Sequence, residues 1–259
     1  MKKLLSPIIA GVRDAGRAIL GIYNSEFSVS YKADSSPLTE ADRQSHDILL
    51  RVLRDISPDI PVCSEEGEVI PYAERKNWNE FYLVDPLDGT KEFVKRNGEF
   101  TVNVGFIRKG IPVLGVIYAP VTDTFYYASE GEGSWKQTGT VSPEKIRVAT
   151  APRAAGLIVA ASRSHGSPEL ETFLAKLQIG ERISAGSSLK FCLVAEGKAD
   201  LYPRFGPTWE WDTAAGHAIL LEAGGRVTAT DGSAELSYNK ETLKHEGFIA
   251  RPSGIAYAR

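Results

Sequence analysis

The run Asp85-Pro86-Leu87-Asp88-Gly89-Thr90 sets two carboxylates three residues apart, directly after the apolar stretch Phe81-Tyr82-Leu83-Val84. Asp, Pro and Gly at such positions also build tight turns, so the hexapeptide alone divides between turn chemistry and a ligand site. It does not stand alone: Asp42 lies upstream, Ser64-Glu65-Glu66-Gly67 comes next, and Trp211-Asp212 follows far downstream with Gly224-Gly225 behind it. If these acids converge, two like charges about 5 Å apart repel by ~3 kcal/mol at an effective dielectric of about 20. Four or five in one pocket therefore require cations. The candidate ligands are hard oxygens, with no histidine pair and no thiolate among them, which favours Mg²⁺ over Zn²⁺. Two such ions sharing carboxylates would polarise a phosphoryl group and lower the pKa of a bound water, which is the design of a phosphoryl hydrolase.

Positioning such a set takes a sizeable core, and the composition supplies one. The chain has 259 residues, 42% of them hydrophobic and 24% charged, as in ordinary soluble domains. Thirty Lys+Arg against 33 Asp+Glu leave a net charge of −3, which argues against a surface that coats nucleic acid while leaving small anionic ligands open. Two cysteines, Cys63 and Cys192, each among apolar neighbours, exclude a disulfide framework and a thiolate zinc site and suit a reducing, cytoplasmic location, with peripheral attachment to the inner face of a membrane left open. The start Met1-Lys2-Lys3-Leu4-Leu5 imitates a secretory signal, but Arg13, Asp14 and Arg17 interrupt it and the apolar residues recur at helical spacing, so the reading is an amphipathic first helix.

A second helix is expected from about Thr39 to Leu53, then a strand at Phe81–Val84 stopped by Asp85-Pro86 because proline removes an amide donor. Apolar runs at 100–107 and 111–118, split by Arg108-Lys109-Gly110, read as a hairpin. Residues 1–150 thus look like α+β, two helices on a largely antiparallel sheet. Residues 151–259 alternate strand and helix and look like α/β, with helices expected near 168–177, 188–195 and 213–223.

The order and spacing of Asp42, Glu65-Glu66, Asp85-Pro86-Leu87-Asp88-Gly89-Thr90, Trp211-Asp212 and Gly224-Gly225 resemble the Mg²⁺-dependent, lithium-sensitive phosphatase superfamily, which includes inositol monophosphatase, fructose-1,6-bisphosphatase and 3′(2′),5′-bisphosphate nucleotidase. Three longer runs, 83–101, 187–197 and 201–218, are similar to its bacterial CysQ-type nucleotidase branch. The resemblance implies a layered α-β-α-β-α sandwich. It implies that Glu65, Asp85 and the Leu87 carbonyl hold one Mg²⁺ and that Asp85, Asp88 and Asp212 hold a second, with Glu66 supporting them or a loosely held third ion. Asp42, Thr90 and Glu65 form the implied catalytic set, in which Thr90, backed by Asp42, orients the nucleophilic water. The amides of Gly89 and Thr90 are expected at the phosphate. Positions matching Ser162 and His165 would contact the nucleotide, those matching Gly186 and Lys190 the second phosphate or nearby sugar, and Asp212 the substrate as well as a metal.

The implied activity removes the 3′-phosphate of adenosine 3′,5′-bisphosphate, and of its sulfated form, to serve recycling in sulfur assimilation. An inositol monophosphatase-like or sugar-bisphosphatase activity shares every metal ligand and is the alternative. Without the resemblance, His165 reads as a surface or capping residue and Gly186-Ser187-Ser188 as a helix cap; Arg204 could reach a phosphate but reads as a surface ion-pair partner. Trp209 and Trp211 read as walls of the site, Cys63 as a small buried hydrophobe and His217 as a packing residue. Asp88→Asn and Asp212→Asn are each expected to lower turnover by orders of magnitude at saturating Mg²⁺ while leaving the circular dichroism spectrum unchanged.

Overall fold

An apolar stripe of Ile8, Val12, Ala15 and Ile19, all buried, folds the N-terminal segment into α1 (Lys2–Tyr23). The computed structural model describes residues 2–31, 37–162 and 166–254. After α1 come β1 (Ser30–Tyr31) and its antiparallel partner β2 (Pro37–Leu38), then α2 (Glu40–Ile56), whose N-cap is Thr39. The chain continues through β3 (Val62–Ser64), α3 (Tyr72–Arg75), β4 (Glu80–Asp88), α4 (Thr90–Val94) and β5 (Thr101–Arg108). Next are β6 (Ile111–Ala119), β7 (Thr124–Ser129), β8 (Gly133–Thr138) and β9 (Glu144–Ile146). Strands β3 to β9 form one sheet in chain order, parallel only where β3 meets β4. The turn between β5 and β6 puts Lys109 and Gly110 at positive φ, as a tight hairpin needs.

Proline does not stop β4, contrary to the sequence expectation. Asp85 pairs with Asn103 and Asp88 with Thr101, so three steps on β4 match two on β5 and the strand bulges at Pro86-Leu87. A bulged residue owes the ladder no N–H, so proline is tolerated there. The Pro86 carbonyl is instead satisfied by Ser45 Oγ of α2, which donates to it at 2.6 Å.

The second half begins with β10 (Leu157–Ala161), α5 (Pro168–Leu174), β11 (Ile179–Ser184), α6 (Leu189–Ala195) and β12 (Tyr202–Arg204). It ends with β13 (Thr208–Trp209), α7 (Glu210–Glu222), β14 (Gly225–Thr228), β15 (Lys244–His245) and β16 (Phe248–Pro252). β10 and β11 are parallel, β12-β16-β14 are antiparallel, and a parallel bridge from Val159 to Leu201 connects the two groups. α5 stops three residues short of the expected Leu177.

Alternation along the strands divides the large sheet between two cores. Tyr82 and Val84 face α1 and α2, whereas Phe81 and Leu83 face the side that α7 covers. α6 and α7 also pack on β10, β14 and β16, and α5 seals the outer face of those strands with Leu170 and Leu174. The layers are therefore α-β-α-β-α, and α7 is shared by both halves.

α7 begins at Glu210 rather than near Thr213, and Trp211 and Thr213 through Leu220 are all buried. A helix apolar on every side carries no amphipathic period, which hides its start from the sequence. It lies unusually close to the sheet: a Cβ on Gly105 would stand 2.6 Å from the Ala214 Cβ, and one on Gly115 would stand 2.3 Å from the Ala215 carbonyl oxygen. Gly115→Ala must therefore push α7 outward, and Asp212 with it. The expected cost is about 1–3 kcal/mol, read as a lowered urea midpoint at unchanged m-value.

Candidate active site

Three carboxylates from three separate elements converge. Glu65, Asp85 and Asp212 each place an oxygen within 4.8 Å of the other two. Glu65 follows β3, and its amide donates to the Val84 carbonyl at 3.0 Å, which extends the β3–β4 pairing up to the site. Asp85 sits at the β4 bulge, almost wholly buried, and its Oδ1 accepts the Leu87 amide at 3.1 Å. Asp212 is in the first turn of α7, where its Oδ2 accepts the Trp209 amide at 3.1 Å. Burial pushes the Asp85 carboxyl well above the usual carboxylate range, and Glu65, Asp88, Asp212 and Asp42 push it further. Burial raises Asp212 in the same way, followed by Asp88 and Glu65, while Arg204 opposes. Hard oxygens crowded so that they resist ionisation form a donor set that fits a hard divalent cation, whose charge removes the penalty.

Asp88 lines the same cavity but stands outside that trio. Its Oδ2 accepts Ser187 Oγ at 2.6 Å, the Ser188 amide at 2.7 Å and Asn103 Nδ2 at 3.3 Å. One of its oxygens is thus committed to holding the loop before α6. Thr90 Oγ1 lies 3.3 Å from Asp42 Oδ1 and 3.3 Å from the Leu87 carbonyl, so the expected Thr90–Asp42 pair is formed beside the trio. Asp42 is buried, and its Oδ2 closes the capping box of α2 by accepting the Thr39 amide at 2.7 Å and Thr39 Oγ1 at 2.6 Å. Burial raises its pKa against those hydrogen bonds. Gly89 has a φ of 91°, a left-handed turn that starts the five-residue α4, too short to add much of a helix dipole. Glu66 is half-buried and contributes to raising Asp42.

The trio opens into a cavity of about 280 Å³ that also presents Ser162, Gly186, Lys190, Tyr202, Arg204 and Trp209. The Gly186 amide donates to Glu99 Oε2 at 2.8 Å, and a Cβ there would stand 2.5 Å from the Glu99 carbonyl oxygen, so only glycine fits. Lys190 is buried, with its Nζ donating to the carbonyls of Ala185 at 3.0 Å and Ser187 at 2.5 Å, and burial lowers its pKa to about 8. Arg204, expected on the surface, instead lines the cavity with a buried Nε that has no hydrogen-bond partner. His165 lies outside the described residues. Trp209 is stacked on Trp211 at 4.8 Å and covered on its other side by Lys244 Nζ at 4.0 Å, so it walls the site with neither face free for a base. His217 is buried, bonded through Nδ1 to the Tyr238 hydroxyl at 3.0 Å and lowered to about 3 by burial, as a packing residue would be. Cys63 and Cys192 are buried and free. A larger cavity of about 630 Å³ lies under α5, away from the trio, lined mainly by apolar side chains such as Phe173, Leu201, Phe205 and Ile249.

The inositol monophosphatase family matches residues 1–258. The chain belongs to that family. Among its relatives, the 3′(2′),5′-bisphosphate nucleotidase CysQ of Salmonella typhimurium is 48% identical over 95% of this chain and 98% of its own length. The protein of the same name from Escherichia coli K12 is 46% identical over 95% and 98%. The crystal structure of CysQ from Bacteroides thetaiotaomicron, a bacterial member of the family, superposes with a TM-score of 0.84 at 44% identity, covering 95% of this chain and 96% of that one. The Thermotoga maritima IMPase superposes at 0.78 with 25% identity, covering 98% and 94%. Family membership agrees with the acidic trio, because the inositol monophosphatase family is generally metal-dependent.

Of the two sequence readings of Arg204, a phosphate contact or a surface ion pair, its loop position favoured the second, and the structure places it at the cavity of this family member instead. Ser187, Ser188, Thr101 and Asn103 form a hydroxyl and amide network behind Asp88 that no spacing foretells. The crowding of the trio also has a thermodynamic sign. A carboxyl raised on folding favours the unfolded state as pH climbs past its ordinary value of about 4. Asp85→Asn keeps an oxygen for the Leu87 amide and removes that penalty. In chelator at about pH 8 the variant is expected to melt several degrees above wild type, with the gap closing near pH 4, and added Mg²⁺ should no longer raise its melting temperature.

Proposed function

We infer that this chain is a phosphoric monoester hydrolase of the 3′(2′),5′-bisphosphate nucleotidase type, releasing the 3′-phosphate of adenosine 3′,5′-bisphosphate to leave AMP. The observation that carries the reading is one cavity lined by both kinds of charge. Glu65, Asp85 and Asp212 converge on it, and Lys190 and Arg204 line it as well. A bisphosphorylated ribose needs both, one phosphate at the acids through cations and the other at fixed donors. The relatives at 46–48% identity that bear the nucleotidase name agree with it. The sulfated nucleotide, which has the same 3′-phosphate, is proposed as a second substrate.

Glu65, Asp85, the Leu87 carbonyl, Asp88 through its free oxygen and Asp212 would hold two Mg²⁺, with Asp85 shared. Bound there, the ions supply a Lewis acid for the phosphoryl oxygens and an acidified water. Thr90 Oγ1 donates toward Asp42 Oδ1, which leaves its lone pairs to accept a proton from the attacking water and so fix that water's orientation. Asp42 is suited to receive that proton because burial has raised its pKa. The Arg204 guanidinium, with its buried Nε unpaired, meets the second phosphate, and Ser162 lines the nucleotide's path, to which the family resemblance would add His165. Lys190 acts from beneath, fixing the carbonyls of Ala185 and Ser187 so that the Gly186 amide region keeps its shape.

Arg204→Ala should raise KM for adenosine 3′,5′-bisphosphate about tenfold or more, since a charge-assisted contact is worth roughly 1.5–3 kcal/mol, and should change KM for inositol 1-phosphate less than twofold. Phosphate release is to be measured for both and for fructose 1,6-bisphosphate, with and without Mg²⁺ and Li⁺. Equal losses on the nucleotide and inositol substrates, or preferential turnover of inositol or sugar phosphates, would overturn the nucleotidase reading in favour of the alternative.

A further inference from the structure

The first turn of α7 carries two buried acids, and only Asp212 faces the cavity. Glu210, two residues earlier and with no exposed surface, turns the other way. Its Oε2 accepts the Asn239 amide at 2.7 Å, and its Oε1 accepts the Lys240 amide at 3.0 Å and Lys240 Nζ at 2.7 Å. Asn239 has a φ of 74°, which turns two successive amides toward one point and makes a nest for an anion. The Glu210 amide in turn donates to the Leu243 carbonyl at 2.9 Å, and β13 pairs with β15, so the segment 237–245 is a strap lying against the start of α7.

The strap has a second anchor in the first half of the chain. Arg75, buried in α3, donates from Nη1 to Asn239 Oδ1 at 2.9 Å and to the Lys240 carbonyl at 2.7 Å, and from Nη2 to the Glu241 carbonyl at 2.6 Å. Arg75 belongs to the stretch that follows Glu65. One strap therefore fastens the region after Glu65 to the helix turn that carries Asp212, on the side of α7 away from the cavity.

We propose that Glu210 is a positioning residue for the cation site: by clamping the strap to the first turn of α7 it holds Asp212 within ligand distance of Glu65 and Asp85. This rests on the metal-binding reading of the trio. A carboxylate suits the task because it offers an acceptor oxygen to each of two adjacent amides while Lys240 balances its charge. Glutamine at this place has one acceptor oxygen, and its amide group would confront a backbone N–H.

The test compares wild type, Glu210→Gln and Leu174→Ala, the last removing a buried side chain of α5 in the outer layer, remote from the strap. Mg²⁺ binding to the substrate-free protein is followed by calorimetry, melting is followed in chelator, and turnover is followed against Mg²⁺ concentration. Glu210→Gln is expected to weaken Mg²⁺ binding about tenfold or more and to shift the activating Mg²⁺ concentration by the same factor, with kcat at saturating Mg²⁺ falling less. Leu174→Ala is expected to lower the melting temperature with its Mg²⁺ constant unmoved. If Glu210→Gln does not fold, Glu210→Asp, too short to reach both amides, replaces it with the same expectation. A variant that melts lower yet binds Mg²⁺ as wild type does overturns this inference alone. Failure of the wild-type protein to bind Mg²⁺ overturns it together with the metal reading.

Discussion

Mutual repulsion among buried carboxylates is the constraint on which the rest of this structure turns. Burial opposes the ionisation of Asp85 and Asp212, and the neighbouring charges of Glu65 and Asp88 oppose it further. Nothing in their own interaction would gather them, so the fold has to hold them there, and a cation has to relieve them before they act as ligands. The site is thus a place where stability is given up for function, and the surrounding layers compensate.

The same device fixes two of the acids. Asp42 and Asp212 both occupy the third position of a helix, and both spend Oδ2 on the backbone amide of the N-cap residue, Thr39 in one case and Trp209 in the other. In α2 this bond completes a capping box with the Thr39 side chain, whereas Trp209 has no side-chain acceptor and α7 keeps only the return bond from Asp212. In both helices that bond orients the carboxylate and leaves the second oxygen to meet Thr90 in the case of Asp42 and the trio in the case of Asp212. Asp88 follows the same economy at the end of β4, with one oxygen in a seryl network. Structural hydrogen bonding and ligand geometry are therefore shared by the same side chains.

The helix that delivers Asp212 is buried between two sheets, which is why glycines at 105 and 115 are needed and why the two halves of the chain cannot be understood apart. The acids at 42, 65, 85 and 88 come from the first half and the one at 212 from the second. Lys190 and Arg204 show the same dependence. The sequence suggested a phosphate-binding lysine and a surface arginine, yet packing has turned the ammonium onto two carbonyls and placed the guanidinium at the cavity with its buried Nε unpaired.

Residue type and spacing alone singled out Glu65, Asp85 and Asp212, which the fold brings together, and the phosphatase class, because charge repulsion and ligand chemistry are properties of the side chains themselves. They also identified α1, α2 and the β5–β6 hairpin, whose periods and turn residues are local. The bulge that carries β4 past Pro86, the early start of α7, the inward turn of Arg204 and the strap on Glu210 were decided only by tertiary structure. In each of these the governing partner, Ser45, the Leu243 carbonyl, the cavity wall or the amides of 239 and 240, lies far along the chain, and no local pattern encodes a contact of that kind.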